Sequence, residues 1–173
     1  DKWVQIAALT AGSSQTESIL QDVLNKYQPD IPAYASLVQR TSSMIANHSD
    51  QASIVRMIQK STSINAGKQS AWQGPMLQGL ADGLESLKSK SQESIKNIST
   101  YNNVLIKTFF EQPLKEVRNA SLNILKITEL DNDNLTKSAM ERSLRIMTNR
   151  NLTDEKRSEA INFISLKDPS PFD

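Results

Sequence analysis

The stretch DKWVQIAAL at residues 1–9 returns at 115–125 as KEVRNASLNIL, with Val4, Ala7 and Leu9 matched by Val117, Ala120 and Leu122. Each copy sets a valine, an alanine and a leucine on one helical face, and a small residue in an apolar stripe lets a second helix approach closely. A partial third copy, DEKRSEAINFI at 154–164, carries Ala160 in the alanine position. Val4 and Val117 lie 113 residues apart, and Ala120 and Ala160 lie 40 apart. Three units in the first gap and one in the second give a period near 38 to 40. ASIVRMI at 52–58 and MLQGLADGL at 76–84 are expected to fill the intervening units, keeping the apolar spacing without the alanine.

Between these segments the helical period continues. Ile19, Leu20, Val23, Leu24 and Tyr27 form one stripe, with Ser13, Ser14 or Thr16 available as caps. Pro29 and Pro32 end that helix and open the next, which carries Tyr34, Leu37, Val38, Thr41, Met44 and Ile45. Asp50 can cap a short helix with Ile54, Val55 and Ile58, and residues 61–68 read as a polar loop. A longer helix is expected over 69–88, with Trp72, Met76, Leu80, Leu84 and Leu87 in register and Pro75 tolerable in its first turn. Gly79 and Gly83, four apart on one face, mark either a close helix contact or a local weakness. Ser91 or Ser94 can cap a short helix, an apolar one ends before Pro113, and the last three span 114–127, 133–149 and 153–165. No alternating apolar run bounded by Asn-Gly or Asp-Gly turns appears, so the spacing predicts eight to ten helices.

The charge is balanced: Lys and Arg number 20 and Asp and Glu 19, spread along the chain. A nucleic-acid binder concentrates positive charge, because counterion release supplies most of its affinity, so no nucleic-acid partner is expected. No run approaches the ~18 apolar residues of a membrane span, and no membrane insertion is expected. The absence of cysteine excludes disulfides, thiolate metal sites and covalent haem attachment within this sequence.

No residue set announces a reaction. His48, the one histidine, sits in a polar stretch with Asp50 and lacks the companion ligands that a metal requires. Asp131-Asn132-Asp133-Asn134 alternates oxygen ligands as a calcium loop does, but Thr136 and Arg142 stand where the loop needs glycine and glutamate. Helix capping explains the run. Gly67-Lys68 lacks the leading glycine of a phosphate loop. Five N-x-S/T sequons, at Asn47, Asn97, Asn119, Asn134 and Asn151, read as incidental in a chain rich in Asn, Ser and Thr. Lys115 and Arg118 read as a solvated helix face. Trp3 and Trp72 are the candidate partner-binding residues, since aromatics anchor interfaces. The spacing of Trp72 with Met76 and Leu80 favours a core place for it, and an upstream unit would cover Trp3.

Repeats of ~40–47 residues built from helix pairs mark HEAT and armadillo solenoids. The expected fold is therefore all-α: a HEAT/armadillo-like α-α superhelix of about four helix pairs over 1–166, with 167–173 as a linker or tail. The opening W-V-Q-x-A-A-L, the proline-punctuated second helix pair and Gly-Leu-Ala-Asp-Gly-Leu at 79–84 go further. Together they resemble the HEAT-like segment of bacterial membrane-bound dehydrogenase-like proteins. That resemblance implies an excised segment of a longer periplasmic or cell-envelope protein. A sugar-dehydrogenase-type β-propeller would precede it and a c-type cytochrome domain follow it. The expected role is a non-catalytic scaffold without cofactor or metal, its partners being the flanking domains and another protein. The competing expectation is a small-molecule or enzymatic pocket near Trp72, Gln73 and Gln78.

Overall fold

A computed structural model describes residues 13–48, 51–64, 70–131 and 133–167. Among these the chain is all-α, with no strand. In chain order the helices are α1 (Ser13–Asn25), α2 (Pro32–His48), α3 (Gln51–Thr62), α4 (Gln73–Lys88) and α5 (Gln92–Ser99). They continue with α6 (Asn102–Glu111), α7 (Lys115–Thr128), α8 (Asn134–Thr148) and α9 (Asp154–Ile164). Trp3, Asp50 and the whole opening nonapeptide lie outside the described residues.

Local chemistry accounts for the boundaries. Pro32 opens α2, where its missing N–H has no helical partner to lose. Ser91 Oγ accepts the Ser94 N–H at the start of α5, and Asp133 and Thr153 cap α8 and α9 in the same way. Pro75 falls in the first turn of α4, as expected. Gln112 and Pro113 separate α6 from α7.

Helix α4 is the centre of the molecule. Met76, Leu77, Leu80, Ala81 and Leu84 are all buried, and so are Gly74, Gly79 and Gly83. A helix covered on most sides must meet several neighbours, and α4 packs most extensively on α2 and next on α7. The glycines explain the first contact. A Cβ on Gly79 would lie 2.8 Å from the Gln39 carbonyl carbon and from Ser42 Cβ, and one on Gly83 would lie 2.6 Å from Ala46 Cβ. The pair therefore marks a close approach of two backbones, not a weak stretch of helix. Gly74 faces Glu116 of α7 in the same manner, with a Cβ there 2.7 Å from that of Glu116.

The helices joined through α4 start at residues 32, 73 and 115, and α9 starts at 154. Polar pairs link successive members of this row: Gln39 with Asp82 at 2.7 Å, Gln78 with Asn123 at 3.0 Å and Arg118 with Glu159 at 2.7 Å. The segment 52–58, expected to fill an intervening unit, can be compared with this row. That segment lies in α3, whereas the helix that sits one spacing ahead of α4 and packs lengthwise on it is α2. Apolar spacing alone could not separate the two, because both helices bury a stripe of the same period. At the other end, Phe163 of α9 is fully buried and stacks on Phe109 of α6 at 5.0 Å. Asn102 ties α6 to the end of α7, donating to the Glu129 carbonyl and accepting from Thr128 Oγ1, both at 2.7 Å.

Candidate functional site

A concavity of about 500 Å³ lies where α8 and α9 meet α6 and the start of α7. This is within the ~300–1,000 Å³ range of ligand sites. Phe109 and Phe110 in the last turn of α6 line it, and so do Gln112 and Pro113, where that helix stops. Ile146, Leu152 and Ala160 complete the apolar lining. Arg142 and Lys156 supply cations, and Glu111 an anion.

One wall is an ion pair held almost out of water. Arg118 and Glu159 side chains are 16% and 14% exposed. Arg118 Nε donates to Glu159 Oε2 at 3.0 Å and Nη2 donates to Oε1 at 2.7 Å, a two-pronged match of guanidinium to carboxylate. Its Nη1 donates to the carbonyls of Gln112 at 3.0 Å and Pro113 at 2.8 Å. Arg118 thus fixes both the loop after α6 and the angle of α9. This corrects its reading as a solvated residue: Glu159 of α9 covers its guanidinium. Lys115, one turn earlier, does stay exposed and pairs with Glu155 at 2.5 Å. Its ammonium holds the Glu155 carboxyl below the ordinary carboxylate value, and the Lys115 pKa is raised in return.

Gln112 is the unusual member. It is 2% exposed, and neither its side-chain oxygen nor its nitrogen has a hydrogen-bond partner. A buried polar atom left unpaired costs about 1–3 kcal/mol. The Arg142 guanidinium carbon lies over the Phe110 ring, 4.4 Å from the centroid. Neither Arg142 nor Lys156 is paired with a carboxylate among the described residues, while Glu159 is taken by Arg118 and Glu111 lies 3.9 Å from Lys107. The cleft therefore combines an aromatic wall, two uncompensated cations and a carboxamide with spare donors and an acceptor.

Those residues singled out in the sequence that are described have contacts of their own. Trp72 is half-buried just before α4, packed against the core, with Lys60 Nζ 5.7 Å from its ring centroid. Gln73 is buried and spans a loop, donating to the Ser63 carbonyl at 2.8 Å and accepting from the Ser70 N–H at 3.2 Å. Gln78 instead turns to Asp82 and Asn123, at 2.8 and 3.0 Å. His48 ends α2 exposed, and no cluster of three metal-ligating side chains occurs among the described residues. Asp133 serves as a helix cap, its Oδ1 accepting the Thr136 N–H at 2.7 Å. Asn119 of α7 is exposed. No described helix is long and apolar enough to cross a membrane.

Sequence reasoning missed Gln112, Arg142, Lys156 and Glu159. One signal was available: Arg118 and Glu159 stand 41 residues apart, and Lys115 and Glu155 stand 40 apart, opposite charges near the period expected from the sequence. Nothing in the sequence marks Gln112.

Compared with protein-family models, curated proteins and solved structures, the chain matches none. What fold and cleft define is a class: an all-α protein with a polar-rimmed aromatic cleft at its last helix pair.

Proposed function

We propose that this chain is a non-catalytic scaffold, a HEAT-like α-α superhelix of about four helix pairs that orders the modules on either side of it. One observation carries the reading. Helices α2, α4, α7 and α9 start 41, 42 and 39 residues apart, and each is linked to the next by side-chain pairs 41 to 45 residues apart. Stacked helix pairs of one length produce that spacing. The resemblance to membrane-bound dehydrogenase-like proteins makes the flanking modules a sugar-dehydrogenase-type propeller and a c-type cytochrome domain. On that reading the chain works in the periplasm or cell envelope and contacts its neighbours in the same polypeptide. The alternative of a pocket near Trp72, Gln73 and Gln78 has less in its favour, since the Gln73 amide is occupied by the backbone.

Stepwise removal of the last pair tests the architecture. In a superhelix, stability is roughly a sum over units and their nearest-neighbour interfaces. A chain ending at Asp131, without α8 and α9, should still unfold cooperatively in urea, at a lower midpoint and with a smaller slope. Loss of all cooperative unfolding would show a single interdependent bundle and end the proposal. The full coding sequence tests the context. A propeller upstream and C-x-x-C-H downstream are expected, and a gene encoding this chain alone would exclude the linker role.

A further inference from the structure

We propose that the cleft between α6, α8 and α9 docks an extended acidic peptide segment of a partner protein. This deepens the scaffold reading, and rests on it, by naming the chemistry of what the scaffold holds. Three features select the occupant. The first is the Gln112 carboxamide, buried at the border of the cleft with donor and acceptor both unused. A peptide unit offers the complementary N–H and C=O together, whereas a phosphate or a simple carboxylate offers acceptors alone.

The second is charge. Arg142 and Lys156 have no acidic partner among the described residues, and the one buried carboxylate in the cleft, Glu159, is neutralised by Arg118. Arg142 Cζ lies 4.4 Å from the Phe110 centroid, and a cation held against a ring in this way still has N–H groups to donate to a carboxylate. The occupant therefore carries Asp or Glu. The third is the wall of Phe109, Phe110, Ile146 and Leu152, which seats an aliphatic or aromatic side chain beside that acid. An extended segment alternating acidic and apolar residues meets all three, since successive side chains point to opposite sides.

The test uses the full chain and capped, fluorescein-labelled hexapeptides alternating Leu with Asp, against the same peptides with Asn for Asp, read by fluorescence anisotropy. The acidic peptide should bind at least tenfold tighter than its Asn counterpart. The R142Q/K156Q double variant should remove that tenfold preference. Gln112→Leu should weaken the acidic peptide severalfold while its thermal midpoint stays equal to or above that of the native chain. Lys60→Gln, on α3 and outside the lining of the cleft, should change nothing. Equal binding of the Asn peptide, or native binding by the double variant, would overturn the proposal. So would displacement of the peptide at matching concentrations by N-acetylaspartate or by an oligothymidylate, pointing to a small-acid or a nucleic-acid site. A chain that passes the truncation test yet binds no peptide refutes this inference alone, and one that binds peptide but fails truncation refutes the superhelix alone.

Discussion

Gly79→Ala pits two effects of known size against each other. In an unobstructed helix interior the change stabilises by about 1 kcal/mol, because alanine loses less backbone entropy than glycine. At Gly79 the new methyl would lie 2.8 Å from the Gln39 carbonyl carbon and Ser42 Cβ, and closer still to the Gln39 carbonyl oxygen. The obstacle is the backbone of α2, which cannot rotate aside as a side chain can. Helix α2 would have to retreat by about 1 Å, and a gap of that size forfeits up to about half of the dispersion energy of the atom pairs it separates. Overpacking of this kind costs about 1–3 kcal/mol. Because the site lies on the most extensive helix contact, the upper end applies, leaving a net loss of about 2 kcal/mol. For a chain of this length that lowers Tm by about 4–8 °C. Urea and thermal unfolding followed by circular dichroism at 222 nm would measure it. Ser86→Ala, on the exposed side of the same helix, controls for propensity and should raise stability slightly. A G79A chain as stable as the native one, or shifted like S86A, would refute the close-contact argument.

Two further perturbations probe the final helix pair. Arg118→Met strands the mostly buried Glu159 carboxylate and two carbonyls, and should destabilise by about 3 kcal/mol in urea titration. A loss under about 1 kcal/mol would mean the pair behaves as an ordinary surface contact. Asp133 ionises below its ordinary value of 3.8, chiefly because its carboxylate accepts the Thr136 backbone N–H. With the folded pKa depressed, its contribution is fully present above pH ~4 and is lost as pH falls through the folded value. D133N should flatten that part of the acid limb while keeping the cap, and D133A should lose about 0.5–1 kcal/mol at neutral pH. An acid limb unchanged in D133N would assign the pH dependence to other carboxylates.

The sequence by itself determined the helices. The expected spans 114–127, 133–149 and 153–165 fall within a residue or so of Lys115–Thr128, Asn134–Thr148 and Asp154–Ile164. Periodicity, capping and proline act within a few residues, so they are legible locally. The paired glycines of α4 were legible too, but only as two alternatives. Tertiary structure chose between them by placing the α2 backbone against both. It also decided which helix joins the row through α4, since apolar stripes of equal period say nothing about which neighbour covers them. The burial of Arg118 and the unpaired Gln112 belong wholly to the tertiary level. Whether a polar atom is solvated, paired or stranded depends on helices 40 residues away in the chain, and no local pattern carries that information.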